Sequence, residues 1–302
     1  MESIIRTHQL EKTFKTNKGL KPLDFQLFKG EICAIIGKNG AGKSTFFKLL
    51  AGQLQPTGGE MAFFDYAAAE SNRARKRMGF MIESPEFFAD LTAYENLNYF
   101  RLQRGISSKD AVKRVIEAVD LSKYPATRFK EYSMGMKQRL GLALTLMAGP
   151  DCLVLDEPTN GLDAEGISDI RKLLLKLNKE QDITILISSH ILSELQLVAT
   201  RFLFIDKGQV IEDISREELH NRNRKSLKLI VNHPSRAARV LEESFADLKY
   251  SVLPDNTLKL DNHVEHAAQI NRILMQHDID VKEIMTETNS LEDYFLSLEV
   301  TP

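Results

Sequence analysis

An α/β domain built on a buried, mostly parallel sheet, followed by a smaller α+β domain, is the architecture this sequence predicts. Three observations carry that expectation. Short apolar runs alternate with segments of helical periodicity; strand signals vanish and helical ones persist between about residues 92 and 148; and a new succession of strands and helices begins after a charged, polar stretch at 213–224. A chain of 302 residues is long enough to bury two cores.

The elements follow in order. Ile32-Cys33-Ala34-Ile35-Ile36 reads as a buried strand, the glycines after it as a tight turn, and Phe46, Phe47, Leu49 and Leu50 as the apolar face of a helix. A second apolar run over 152–155 passes through a loop with Pro158 and Gly161 into a helix marked by Ile167, Ile170, Leu173 and Leu174. A third run, over 183–187, leads to a helix around Leu192, Leu195 and Val198. Strands that alternate with helices imply βαβ units and a parallel sheet covered on both faces. A helical insert spans about 88–148 and includes a helix over 111–119, for which Ser107 and Ser108 are candidate caps. Beyond the polar stretch come a strand over 227–231, a helix over 234–245 and a hairpin over 248–260 turning at Asp255-Asn256. A helix over 264–275, a strand over 281–285 and a last helix started by Ser290-Leu291-Glu292-Asp293 follow. That order, βαββαβ plus a helix, predicts a small ferredoxin-like domain, so the domains are expected at 1–220 and 221–302.

Composition removes several classes of function. Hydrophobic residues at 43% and charged ones at 27% exclude a disordered chain. Basic and acidic residues nearly balance, 40 against 42, so no excess positive charge points to nucleic acid, and no nucleic-acid partner is expected. Apolar runs stop far short of the ~20 residues of a membrane-spanning helix. The first residues lack the basic start and apolar stretch of a secretory signal, which leads us to expect a cytoplasmic protein. Its two cysteines, Cys33 and Cys152, sit inside strand-like runs and are expected to be reduced core residues.

The turn after the first strand reads Gly37-Lys38-Asn39-Gly40-Ala41-Gly42-Lys43-Ser44, followed by Thr45, and it lies where a phosphate-binding loop must lie, between a strand and a helix. Glycines let backbone N–H groups curl around phosphate oxygens, and the helix N-terminus adds partial positive charge. Lys43 is expected to reach the β and γ phosphates of ATP, and the Ser44 hydroxyl a Mg2+ ion. Asp156 and Glu157 close the second strand. A carboxylate there can hold Mg2+ through water while its neighbour acts as general base on the attacking water, which assigns the metal to Asp156 and the base to Glu157.

With these, Tyr132-Ser133-Met134-Gly135-Met136-Lys137-Gln138-Arg139-Leu140 and Leu155-Asp156-Glu157-Pro158-Thr159-Asn160-Gly161-Leu162-Asp163 resemble the ATP-binding subunits of ABC transporters, over about residues 3–215. The resemblance implies a phosphate-loop ATPase fold and a head-to-tail dimer, in which Ser133 and Gly135 of one copy cap the nucleotide held by the other. It further implies that Phe14 stacks on adenine, that Asp163 communicates across the dimer, and that His190, in Ser188-Ser189-His190, contacts the γ-phosphate and holds Glu157. Two positions depart from the family pattern. Met134 and Met136 replace a Gly and a Gln of the usual Leu-Ser-Gly-Gly-Gln. Glu83, in Met81-Ile82-Glu83-Ser84-Pro85, stands where most relatives have a Gln that senses Mg2+ and the attacking water, and it adds a carboxylate beside the metal.

That last run, the Ser-Met-Gly-Met-Lys-Gln-Arg-Leu signature and the closing Leu291-Glu292-Asp293-Tyr294-Phe295 resemble the bacitracin-resistance and lantibiotic-immunity exporters. The resemblance implies a separately encoded membrane permease as partner, a peptide antibiotic as cargo, and a place on the inner face of the cell membrane. Exporters of other drugs, lipids or ions use related subunits. A soluble ATPase of this family acting on nucleic acid or the ribosome is the further alternative, but such proteins carry long coiled-coil insertions or tandem nucleotide domains, and this chain has neither.

Overall fold

Strands whose successive residues are all apolar have no polar face to turn to water, so both faces must be covered. In the computed structural model, which describes residues 2–15, 19–64, 66, 70–83, 86–222, 225–288 and 291–299, the run Ile32–Ile36 (β3) is buried at every position, as are Cys152–Asp156 (β6) and Thr184–Ser188 (β7). These three lie at the centre of a six-stranded sheet of order β5-β6-β7-β3-β8-β9, with β5 at Met78–Met81, β8 at Arg201–Asp206 and β9 at Gln209–Ser215. All neighbours are parallel except β8 and β9, which form an antiparallel hairpin at the edge.

A second sheet was not expected. Strands β1 (Ser3–Thr13), β2 (Gly19–Phe28) and β4 (Gly58–Phe63) form an antiparallel sheet of order β2-β1-β4. Its apolar face meets one face of the parallel sheet across helix α1 (Lys43–Leu50), and the core between them holds Ile5, Leu10, Leu23 and Leu27 with Cys33, Ile35, Val154 and Leu203. Alternate residues of the parallel strands enter this core, as the period of two requires. Phe25 of β2 meets Phe46 of α1 edge to face, with centroids 5.5 Å apart. Cys33 and Cys152 are buried free thiols, and burial pushes both thiol pKa values up.

After a short helix α2 (Ser71–Arg75), the insert contains α3 (Ala93–Gln103), α4 (Asp110–Ala118) and α5 (Met134–Leu146). A capping box starts α3: Thr92 Oγ1 accepts from the Glu95 N–H, and Glu95 reaches back to the Thr92 N–H. Neither Ser107 nor Ser108 caps α4. Its N-cap is Lys109, with no side-chain cap bond, and Ser108 contributes its carbonyl, to the Ala111 N–H. Helices α6 (Ala164–Gln181) and α7 (Leu192–Val198) follow β6 and β7, and α8 (Arg216–Arg222) follows β9. Among the described residues no helix is long and apolar enough to cross a membrane.

The chain divides into two compact units, Met1–Arg216 and Glu217–Pro302. The second has its own core, with Leu227, Leu229, Leu241, Leu258, Ile270 and Leu274 all buried. Its elements are β10 (Lys225–Val231), α9 (Pro234–Ser244), β11 (Tyr250–Leu253), β12 (Thr257–Leu260), α10 (Ala267–Gln276), β13 (Val281–Thr288) and α11 (Leu291–Glu299). The sheet order is β11-β12-β10-β13, with every pair antiparallel. Asp255 and Asn256 both adopt positive φ at the hairpin turn, a conformation these residue types tolerate. Ser84, Pro85 and Ser290 lie outside the described residues.

Candidate active site at the carboxyl edge of the parallel sheet

Four strands of the parallel sheet, β3, β5, β6 and β7, release their chains at the same edge, the edge where open α/β sheets place ligands. From β3 comes the glycine-rich loop. A Cβ at Gly37 would lie 2.3 Å from the Ile205 carbonyl oxygen, so only glycine fits where the loop presses on β8. Gly42, at the N-cap of α1, has φ +113, a backbone that side chains resist. Lys38, Asn39, Gly40 and Ser44 are exposed, Ala41 is buried and Thr45 half-buried. Lys43 is buried, and its ammonium spans the loop, donating to the carbonyls of Gly37 at 2.6 Å and Lys38 at 3.3 Å. The loop is tied down by Gly208, whose N–H donates to the Ala41 carbonyl at 2.9 Å.

β6 ends on Asp156, buried, and Glu157, half-buried. Parallel register places Ser188 of β7 beside Asp156, and its hydroxyl donates to Asp156 Oδ1 at 2.6 Å. The same hydroxyl accepts from the Glu157 N–H at 3.1 Å. Glu157 takes a positive φ of 51°, strained for a residue with a side chain, and this turns its carboxylate toward His190. There Oε2 accepts from the His190 N–H at 3.1 Å and lies 2.6 Å from the ring Nδ1, so His190 holds the carboxylate at two points. Fixing a carboxylate in this way presets it to take a proton from a neighbouring water.

Glu83, just past β5, also has positive φ, and its Oε1 lies 2.6 Å from Nζ of Lys48 on α1. Its carboxylate lines a cavity of about 310 Å3 together with Asp156, Glu157, Gln138, Asn160 and Met134. Phe14 follows β1 and is exposed, with the Lys12 ammonium 5.7 Å from its ring centroid. The end of β1 and the glycine loop together line a cavity of about 510 Å3 that includes Thr13, Asn39 and Gly40.

Ser133 and Gly135 stand apart from the glycine loop. They line a different cavity, of about 570 Å3, together with Asp163. Ser133 caps α5, its Oγ accepting from the Met136 N–H, and Asp163 caps α6, accepting from the Gly166 N–H at 2.8 Å. A Cβ at Gly135 would meet nothing closer than 3.9 Å, so packing within the chain does not demand glycine there.

Two residues that shape this site were not singled out from the sequence. Ser188 holds the Asp156 carboxylate and the Glu157 backbone N–H, and Lys48 pairs with Glu83. Each owes its place to a neighbour distant in sequence. The only local signal was the polar residue ending an otherwise apolar strand.

Comparison with known proteins gives the family of the chain. The ABC transporter family model matches residues 20–160. The bacitracin transport ATP-binding protein BcrA of Bacillus licheniformis is 37% identical over 299 residues, covering 99% of this chain and 98% of that one. The lantibiotic transport ATP-binding protein SrtF of Streptococcus pyogenes is 36% identical over 208 residues, 69% of this chain and 89% of that one. Among solved structures, the dimeric bacterial ABC transporter cassette MJ0796 superimposes with a TM-score of 0.62 at 25% identity, covering 70% of this chain and 99% of that one. A glycine loop and an acidic strand end at one sheet edge, in a chain alike over nearly its full length to an ATP-binding transport protein, make this chain an ATP-binding, ATP-hydrolysing subunit of the ABC transporter family, related to the bacitracin and lantibiotic transport proteins.

Proposed function

We propose that this chain is the motor of a peptide-antibiotic exporter, a bacitracin- or lantibiotic-type immunity system in which it works on the cytoplasmic face of a separately encoded permease. One observation carries the reading. The likeness to the bacitracin transport protein runs through the C-terminal unit, over 99% of this chain, whereas the likeness to SrtF covers 69%.

In this reading two copies close head to tail on two ATP molecules. Lys43 and the loop N–H groups of residues 37–45 hold the β and γ phosphates, Phe14 stacks on adenine, and Ser133 and Gly135 of the other copy cap the γ-phosphate. The separation of Ser133 and Gly135 from the glycine loop, and the intrachain freedom at Gly135, favour an incoming nucleotide from a second copy. Asp163, beside them, carries the signal across the seam. Ser44, Asp156 and Glu83 are hard oxygen donors suited to Mg2+, which when bound would neutralise phosphate charge. Glu157, held by His190, takes the proton of the attacking water. Glu83 links the site to the permease, and Lys48 offsets its added charge.

The strand order of the C-terminal unit favours the ferredoxin-like βαββαβ arrangement, and we assign it to support of the dimer. The test is genetic and biochemical together. Deleting the chain in its native host should sensitise cells to bacitracin or lantibiotics, and a permease should co-purify with it. A permease without sensitisation would instead assign another cargo.

A further inference from the structure

In the C-terminal unit, the connection between β12 and α10 is a single 3-10 turn, Val264–His266, with His263 at its head. His263 adopts φ 58, and a 3-10 turn brings residues three apart onto one side, so the His263 and His266 rings face each other with centroids 5.7 Å apart. One potential ligand atom from each of His263, Glu265 and His266 lies within 4.8 Å of the other two.

The cluster is positioned from behind. The Phe245 ring packs against His263 at 4.7 Å, and His263 Nε2 lies 2.8 Å from Asp247 Oδ1 on the loop between α9 and β11. Asn262 fastens that loop, donating to the Asp247 carbonyl at 2.7 Å and accepting from the Lys249 N–H at 2.9 Å. An imidazole whose one nitrogen is fixed by a carboxylate presents the other as a ready ligand, the arrangement that orients histidines in metal centres.

We propose that this cluster binds a divalent transition-metal ion of the zinc class, with His263, His266 and Glu265 as ligands and Asp247 as the carboxylate that orients His263. Two imidazoles with one carboxylate suit zinc and not magnesium, which takes oxygen ligands. Tetrahedral zinc with nitrogen and oxygen ligands at about 2.1 Å needs ligand atoms about 3.4 Å apart. Glu265 and His266 are exposed, which leaves their side chains room to rotate toward that spacing. The bound ion would fasten the β12–α10 connection to the α9–β11 loop through Asp247.

The test uses full-length protein without an affinity tag, stripped of metal and titrated with Zn2+ against a chromophoric chelator, with Co2+ as a spectroscopic probe. The expected result is one Zn2+ per chain, no displacement by excess Mg2+, and tetrahedral Co2+ absorption. His266→Ala should weaken binding about tenfold or more, and so should His263→Asn, chosen because asparagine tolerates the left-handed backbone. His266 is exposed and belongs to the second unit, whereas the glycine loop, Asp156 and Glu157 belong to the first, so the fold and phosphate release of His266→Ala should match the parent. Zn2+ bound no better than Mg2+, or Zn2+ binding that survives both substitutions, would overturn the proposal.

Discussion

The carboxylate of Glu83 stands at the sheet edge that carries Asp156 and Glu157, yet it is already engaged by Lys48. The Glu83 side chain is 70% exposed, so this pair contributes at most about 1 kcal/mol. Glu83→Gln, which keeps an oxygen donor at this position, is expected to retain measurable phosphate release while weakening resistance in cells, where coupling to the permease is read out. A release rate that collapses would make Glu83 part of the chemistry itself, and unchanged resistance would remove it from coupling. The residues around it differ in how visible they were beforehand. The glycine loop, Asp156 and Glu157 could be read in one dimension because phosphate binding demands contiguous residues at a strand end. Ser188 and Lys48 could not, since each meets its partner only when strand register or helix placement brings distant segments together.

Among the elements, the buried parallel strands announced themselves by unbroken apolar runs, and the helical insert by its period. The antiparallel sheet did not. β1 mixes buried and exposed positions without strict alternation, with adjacent Ile4 and Ile5 buried and adjacent His8 and Gln9 exposed, and its pairing with β2 and β4 is irregular, with shifts in register. A half-wet strand broken by bulges leaves no clean period of two. For α4 the expected extent, 111–119, matches 110–118 within a residue, but the serine caps do not: the N-cap is Lys109, with no side-chain cap bond. In α3 the capping box predicts that Thr92→Ala costs about 1 kcal/mol of stability. Hydrogen bonds from Thr92 hold the Glu95 carboxyl below its ordinary 4.5. Since the folded value is the lower one, the contribution of Glu95 is present above pH 4.5 and is lost as pH falls through the depressed value. Denaturation curves of parent and Glu95→Gln should therefore draw together in acid, while the deficit of Thr92→Ala persists because the Glu95 N–H to Thr92 Oγ1 bond does not titrate; a parent-to-Glu95→Gln gap that stays constant from neutral pH to below the depressed value would contradict the capping box.

At the scale of the molecule, two units with separate cores should lose structure separately. Leu229, fully buried in β10, belongs to the second core only. Leu229→Ala should destabilise that unit by about 2–5 kcal/mol and leave the transition of the ATP-binding unit in place. A single shifted transition in calorimetry would show the two units to unfold as one. In the ATP-binding unit, we propose that Glu157, held just past β6 by Ser188 and His190, turns ATP binding into hydrolysis. The direct measurement is phosphate release by Glu157→Gln, with its size-exclusion elution followed with and without ATP and Mg2+. Loss of a general base predicts release slower by about 100-fold or more, with nucleotide still bound and an ATP-dependent shift to a dimer. Release at the parent rate, or no change in elution with ATP, would place the base elsewhere and contradict the account.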